Sequence, residues 1–132
     1  MELSWLAVIV AAVVKFVIGA VWYAPPVLGK RWQTLASMTQ EQVQSGLVPA
    51  MIVQIIGDLV MAYILARLVL HYGVPGLGGG VLIGFMAWLG FLAPVFIGSI
   101  FYERRAPELV AINLGYLLVG LVVMGGIIGM WQ

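Results

Sequence analysis

Residues 3–23 read LSWLAVIVAAVVKFVIGAVWY, an apolar run that one charged side chain, Lys15, interrupts. A helix that spans a bilayer needs about 20 mostly apolar residues, because each residue advances the helix by about 1.5 Å. The run has this length, and Pro25 and Pro26 follow it, where a regular helix cannot continue. The stretch therefore predicts a transmembrane helix over residues 3–23.

Three further segments repeat this pattern. They have similar length and apolar content, and they occupy residues 47–71, 78–101 and 108–131. Turn-forming residues separate the second and third segments at Gly73-Val-Pro-Gly76, and the run Gly78-Gly79-Gly80 is interpreted as the break at which the third begins. Trp and Tyr gather near the segment ends, as is typical of side chains at a membrane–water interface. We predict an all-α membrane protein in which residues 1–132 form a single domain of four transmembrane helices.

The composition of the whole chain supports this prediction. Of 132 residues, 64% are hydrophobic and 8% are charged, whereas soluble domains carry about 25% charged residues. The net charge of +1 provides no basic surface for nucleic acid, which we exclude as a partner. The chain has no Cys and one His, so we expect no thiolate chemistry, no metal site and no cofactor.

The longest connection, residues 24–46, is the only polar stretch of the chain. Thr39 and Gln42 stand in capping-box spacing, which predicts one short helix. With Trp32 directed towards the lipid, we predict a short interfacial segment that lies along the membrane surface between helices 1 and 2. A solvated loop is the alternative interpretation of the same residues.

Basic residues near the helix ends predict the orientation of the chain. Two lie in the first connection, at Lys30 and Arg31, and two in the last, at Arg104 and Arg105, while Arg67 lies at the opposite face. Lys and Arg favour the cytoplasmic side of short loops. We therefore expect a multi-pass protein of the cytoplasmic membrane with both termini outside the cytoplasm.

Two charged side chains lie at bilayer depth, where each costs about 2.5–3.5 kcal/mol and usually has a partner. Lys15 on the first span and Asp58 on the second both fall on stripes of small residues that repeat every four positions. Their similar depth predicts a Lys15–Asp58 ion pair, with Gln54 one turn away. Such a pair either fixes the register of two helices or marks a pathway, and both remain open. Asn113 and Tyr116 are weaker candidates, for interhelical hydrogen bonds.

The third and fourth spans contain small or helix-bending residues that favour helix packing: Gly84, Gly90, Pro94, Gly98, Gly125 and Gly129. Proline in a helix removes a backbone donor and predicts a bend. Glycines four residues apart allow two helix backbones to approach closely in a membrane. We predict self-association through these faces to a homo-oligomer. The alternative is that the glycines only pack helices within one protomer.

The first span ends in the sequence Gly19-Ala-Val-Trp22-Tyr23-Ala-Pro25-Pro26-Val-Leu-Gly29-Lys30-Arg-Trp32. Its residue types suit an anchor at the membrane interface, because Trp22 and Tyr23 favour that depth and Pro25 turns the chain. Gly29 would allow a tight bend, after which Trp32 re-enters the interface. A ligand site at this end of the helices is the alternative.

This motif resembles the opening of a bacterial membrane family, domain of unknown function 1761. Trp88-Leu-Gly90-Phe91 and Asn113-Leu-Gly115-Tyr116 resemble the second half of that family, so the resemblance covers essentially the whole chain. It implies a four-helix bacterial membrane protein and supplies no activity. Many family members carry His directly after the Gly-Tyr pair, whereas this chain has Leu117, so chemistry that depends on such a His is not implied here.

These observations predict a non-catalytic protein. We expect an oligomeric, lipid-interacting or accessory membrane protein whose partners are membrane lipid and its own copies, with a small-molecule ligand left open. An enzyme is not expected, since no nucleophile–His pair, phosphate loop or paired carboxylates are present in the sequence. The alternative is a small homo-oligomeric transporter or channel for a solute or ion that uses Lys15 and Asp58.

Overall fold

The computed structural model of the chain describes residues 3–73 and 76–131. Within these residues, four helical spans are long and apolar enough to cross a membrane, which confirms the predicted all-α class with four transmembrane helices. The middle of the turn predicted between the second and third spans, residues 74 and 75, lies outside the described residues.

The bounds of the helices are close to those predicted. The first span is α1 (Trp5–Trp22), the second is α4 (Leu47–Tyr72) and the fourth is α7 (Pro107–Trp131). Ser4 caps the start of α1 by accepting a hydrogen bond from the Ala7 amide. Gly73 ends α4 in the left-handed conformation, at φ 62°, which glycine adopts without a steric penalty.

The third span is interrupted. It consists of α5 (Gly76–Ala87), a π-helical turn (Trp88–Leu92) and α6 (Ala93–Tyr102). The amide of Ala93 donates to the carbonyl of Trp88, five residues back, so the irregular turn occurs next to the predicted bend at Pro94. The span begins two residues before the predicted residue 78, because the glycines that we interpreted as a break belong to the helix.

The fourth span is the most buried of the four. Half of the most apolar 18-residue window of α7 is buried, against 11% of the corresponding window of α4. The backbones of α5 and α7 touch: a Cβ added to Gly80 would overlap the carbonyl of Gly125, and one added to Gly84 would overlap that of Leu121. Glycine is therefore required here for a close approach of two helices.

The helices α1 and α4 pack together over only part of their length. Ala11 of α1 and Ala62 and Ala66 of α4 are fully buried in one core cluster, together with Met124 of α7. Towards the other end, Ala50 of α4 is exposed. The small-residue stripes of the two helices thus meet near Ala11 and Ala62 and separate towards Ala50.

The connection between the first two spans is helical. After a π-helical turn (Pro25–Gly29), it forms α2 (Lys30–Leu35) and α3 (Gln40–Ser45), and neither short helix contains a buried residue. The predicted capping box is present at Thr39 and Gln42. We refer to residues 24–46 as the connecting segment; its position along the membrane surface remains a prediction.

Candidate functional site

The two intramembrane charges predicted to pair are in contact. Lys15 Nζ lies 2.6 Å from Asp58 Oδ1, and both side chains are fully buried. Lys15 Nζ also donates a hydrogen bond of 2.8 Å to the hydroxyl oxygen of Tyr116 on α7, so the ammonium links three spans. Since the charges neutralise each other, the pair can persist at a depth where one charge alone could not.

Gln54 completes this group of side chains. Its Nε2 donates a hydrogen bond of 2.8 Å to Asp58 Oδ1, the oxygen that also accepts from Lys15. The second carboxylate oxygen, Oδ2, is buried without a hydrogen-bond partner among the described residues. We call Lys15, Gln54, Asp58 and Tyr116 the polar cluster.

Two glycines create the space for the polar cluster. A Cβ on Gly120 of α7 would lie 3.1 Å from the aliphatic stem of Lys15, and a Cβ on Gly19 of α1 would lie 2.9 Å from the Tyr116 hydroxyl oxygen. Larger residues at these positions would push the ammonium and the phenol apart. The sequence therefore specifies the cluster partly through residues that take no part in its hydrogen bonds.

A cavity of about 810 Å³ lies on the connecting-segment side of the polar cluster. Its walls come from α1, α4, α7 and the connecting segment, and they include Gln54 and Tyr116 but neither Lys15 nor Asp58. Small residues of α1 and α4 contribute to its lining at Gly19, Ala20 and Ala50. Its floor therefore consists of the two neutral members of the polar cluster, with the ion pair behind them.

The cavity wall combines amide and apolar side chains. The amides are Gln33, Gln40, Gln42, Gln44, Gln54 and Asn113, and the aromatic residues are Phe16, Tyr23, Trp32 and Tyr116. Among the described residues that line it, none is a Lys, Arg, His, Asp or Glu. A wall of this kind suits a molecule with an apolar body and hydrogen-bonding groups.

The interface motif forms one side of this cavity. Trp22 Nε1 donates to the carbonyl of Ile112 on α7 at 3.1 Å, and the Tyr23 hydroxyl donates to Asn113 Oδ1 at 2.6 Å. Trp32 packs edge-on against Tyr23, with ring centroids 5.9 Å apart. The motif thus ties the end of α1 to α7, and it also places Tyr23 and Trp32 in the cavity wall.

Pro25 and Gly29 bound the π-helical turn that follows. The role predicted for Gly29 differs from the one observed, because its backbone is right-handed helical, with φ −62°. Instead, a Cβ on Gly29 would overlap the carbonyl oxygen of Tyr23. Gly29 is therefore required for close contact with the preceding turn rather than for an unusual backbone angle.

An ion pair at the surface holds the connecting segment to the fourth span. Arg31 of α2 makes two hydrogen bonds to the Glu108 carboxylate, from Nε at 2.6 Å and from a terminal guanidinium nitrogen at 2.5 Å. The hydrogen bond and the negative charge of Glu108 raise the pKa of Arg31, which stays protonated. This contact fixes α2 beside the start of α7.

The glycines predicted to mediate self-association divide into two groups. Gly84, Gly125 and Gly129 are buried between α5 and α7 of one chain, which is the alternative that the sequence left open. By contrast, a Cβ added to Gly90 or Gly98 would meet nothing within 4 Å. The face of the third span that bears these two glycines is left unpacked, and Pro94 is also exposed.

Sequence reasoning missed the way in which Tyr116 completes the polar cluster. Tyr116 was expected to form an interhelical hydrogen bond, but not with Lys15, because no periodicity relates α7 to α1. The contact of Gly120 with the lysine stem was missed for the same reason. Among the described residues, no group of three His, Cys, Asp or Glu side chains could hold a metal ion.

The comparisons with known proteins agree with the sequence resemblance. No curated protein and no solved structure matches the chain. The sequence does match a family described as "Protein of unknown function (DUF1761)" over residues 6–129, which include most of each span and the whole polar cluster. The chain therefore belongs to the DUF1761 family of proteins of unknown function.

Proposed function

We propose that this protein is a non-catalytic membrane protein that binds a small lipid-like molecule in the cavity beneath the connecting segment. The observation that carries the proposal is the cavity itself, whose volume of about 810 Å³ lies in the range of small-molecule sites, about 300–1,000 Å³. Its mixed lining of amides and aromatic rings matches an amphiphilic ligand.

The chemistry of the polar cluster supports binding rather than catalysis. A general acid or base must exchange a proton with its substrate at hydrogen-bond distance. Lys15 and Asp58 are paired with each other and stand behind the cavity wall, so neither charged group touches the space that a ligand would occupy. The pair instead supports Gln54 and Tyr116, which do line the cavity.

Single cysteines test whether the cavity is accessible, since the natural chain has no Cys. Ala50→Cys places a thiol in the cavity wall, and Ala66→Cys places one on the same helix in the packed core. We expect a water-soluble maleimide to modify Ala50→Cys in proteoliposomes and to leave Ala66→Cys unmodified. Equal rates at both positions, or no reaction at Ala50→Cys, would refute the cavity.

Filling the cavity tests whether it holds a molecule. Ala50→Trp adds a large side chain to its wall, whereas Gly98→Trp adds the same side chain on the outer face of the third span. Native mass spectrometry of protein released from native membranes should show a bound small molecule with wild type and with Gly98→Trp, but not with Ala50→Trp. Wild-type protein without any adduct would contradict the proposal.

A second candidate function is transport of the same ligand. The cavity is closed off at the polar cluster, beyond which α1 and α4 are packed, as expected for one of the two conformations of an alternating-access carrier. In oriented proteoliposomes, a carrier should let an impermeant maleimide reach Ala50→Cys from either face. A binding protein should react only from the face that bears the connecting segment.

We further propose that the protein lies in the cytoplasmic membrane with the connecting segment on the cytoplasmic side and both termini outside. The basic residues of the two connections on that side support this orientation. A reporter that is active only in the cytoplasm, fused after residue 132, should give no signal. Activity of that fusion would reverse the orientation.

We also propose a homo-oligomer. The unpacked face of the third span, with Gly90 and Gly98, is the surface that supports it, because small residues allow close approach of a second helix. Gly98→Leu should shift the species released in mild detergent towards monomer without unfolding the protomer. Native mass spectrometry that shows only monomeric wild type in mild detergents would exclude the oligomer.

A further inference from the structure

We infer that the ligand of this cavity is an uncharged amphiphile whose polar end carries a hydrogen-bond-accepting oxygen of the carbonyl type, bound by the hydroxyl of Tyr116. This inference rests on the proposed function and specifies the ligand of the same site. Two observations support it: the Tyr116 hydroxyl has a proton free to donate, and the charges of Lys15 and Asp58 lie directly behind it.

The Tyr116 hydroxyl is an unused donor of the cavity wall. Its oxygen accepts a hydrogen bond from Lys15 Nζ at 2.8 Å, and no acceptor among the described residues takes its own proton. The other phenol of the wall, that of Tyr23, already donates to Asn113 Oδ1 at 2.6 Å. The two hydroxyls therefore differ: Tyr23 is satisfied within the protein, whereas Tyr116 can donate to a ligand.

The lysine next to Tyr116 determines which charge the polar end of the ligand can carry. Lys15 Nζ lies 4.5 Å from the centroid of the Tyr116 ring, so its positive charge occupies the aromatic face that a cationic ligand would use. A hydroxyl that accepts from an ammonium becomes a better donor, because the hydrogen bonds polarise one another. The floor thus favours an acceptor oxygen and disfavours a cation.

The absence of a free charge in the wall disfavours an anion as well. The charge of Lys15 is neutralised by Asp58 at 2.6 Å, and the described lining residues include no Lys, Arg or His. An ionised ligand would lose its hydration without gaining a counter-charge, which is costly at this depth. An uncharged ligand loses less, and one acceptor oxygen satisfies the Tyr116 proton.

The remainder of the wall accommodates the apolar body of such a ligand. Phe16 of α1, Met51 of α4 and Trp32 of the connecting segment all line the cavity, and apolar surface makes up most of it. The glutamine side chains of the connecting segment that line the cavity are those of Gln33, Gln40, Gln42 and Gln44. Ligands with a carbonyl oxygen and an alkyl chain include ester lipids and ketones.

A matched set of probes tests the charge class. Methyl undecyl ketone, dodecane, dodecyltrimethylammonium and dodecanoate share a similar chain and differ in the polar end. Each is added at the same membrane mole fraction to Ala50→Cys in proteoliposomes, and the rate of maleimide modification is measured. We expect the ketone to slow the reaction most. Stronger protection by either charged probe would overturn the inference.

A second variant tests the hydrogen bond itself. In the Ala50→Cys background, Tyr116→Phe removes the hydroxyl, and Tyr63→Phe makes the same change at a ring that stacks on Trp5 outside the cavity. Loss of one hydrogen bond between neutral groups should raise the ketone concentration for half protection up to about tenfold with Tyr116→Phe. Tyr63→Phe should leave it unchanged. Equal effects of the two variants would refute the role of Tyr116.

Infrared spectroscopy gives a readout that does not depend on labelling. The stretch of an isotope-labelled ketone carbonyl moves to lower frequency when the oxygen accepts a hydrogen bond, and this shift should vanish with Tyr116→Phe. If Ala50→Cys is accessible but no probe protects it, the ligand class is wrong while the cavity stands. If Ala50→Cys is inaccessible, the proposed function fails first.

Discussion

Replacing Lys15 by Met tests the energetic role of the buried ion pair. The change removes two hydrogen bonds, to Asp58 Oδ1 at 2.6 Å and to Tyr116 at 2.8 Å. The Asp58 carboxylate, fully buried, would then keep only the amide of Gln54 as a partner. Breaking a buried pair in this way costs about 3–5 kcal/mol, a large share of a total stability of about 5–15 kcal/mol.

The double replacement distinguishes the loss of the ion pair from the cost of leaving one buried charge unpaired. Lys15→Met with Asp58→Leu leaves no unpaired charge at bilayer depth, so most of the lost stability should return. The assay is unfolding by increasing SDS in mixed micelles, followed by the fluorescence of the five tryptophans. Lys30→Met is the control, because Lys30 is exposed on the connecting segment and its loss should leave the midpoint unchanged.

The comparison of single and double variants can refute the reasoning. If the double variant is as unstable as Lys15→Met alone, the loss comes from packing around the lysine stem and not from an uncompensated carboxylate. If Lys15→Met itself unfolds at the wild-type midpoint, the pair contributes nothing to the stability of the bundle.

The remaining predictions concern the helix contacts and the connecting segment. Gly125→Ala should destabilise the protein by about 2 kcal/mol or more, because its Cβ would overlap the backbone of Gly80. Gly57→Ala on α4, with open space around the added Cβ, should stabilise it by up to about 1 kcal/mol in the same SDS titration. Arg31→Gln should leave the unfolding midpoint unchanged, since an exposed pair stabilises little, and should speed amide exchange across α2. Thr39→Ala should weaken α3 by about 1 kcal/mol, measured by exchange of its amides.

The positions of the four spans could be predicted because they depend on local composition. Runs of apolar residues with Pro and Gly between them determine where the chain crosses the bilayer, and the predicted bounds lie close to the observed ones at every helix end. The break expected at Gly78, Gly79 and Gly80 does not occur, because these residues are helical. In the structure Gly80 lies against Gly125, a contact that sequence spacing within one helix cannot reveal.

The site was predictable only in part. Lys15 and Asp58 could be paired from their depth and their stripes of small residues, and Gln54 follows from its position one turn before Asp58. The contact between Lys15 and Tyr116 depends on the rotation of α7 against α1, which no periodicity in either helix determines. A ligand site at this end of the helices was one interpretation of the interface motif, but the cavity itself could not be predicted, because it results from the separation of α1 and α4 under the connecting segment.

The burial of α7 has a consequence for biogenesis. This helix follows the other three spans in the chain, so those spans enter the bilayer before the surface that covers them exists. Lys15 is inserted 43 residues ahead of Asp58 and 101 residues ahead of Tyr116. The glycine face of α5 likewise has no packing partner until Gly125 of α7 is made. Until α7 has emerged, the insertion machinery or lipid must cover the side of the Lys15–Asp58 pair that Tyr116 later contacts, together with the bare helix backbone of α5.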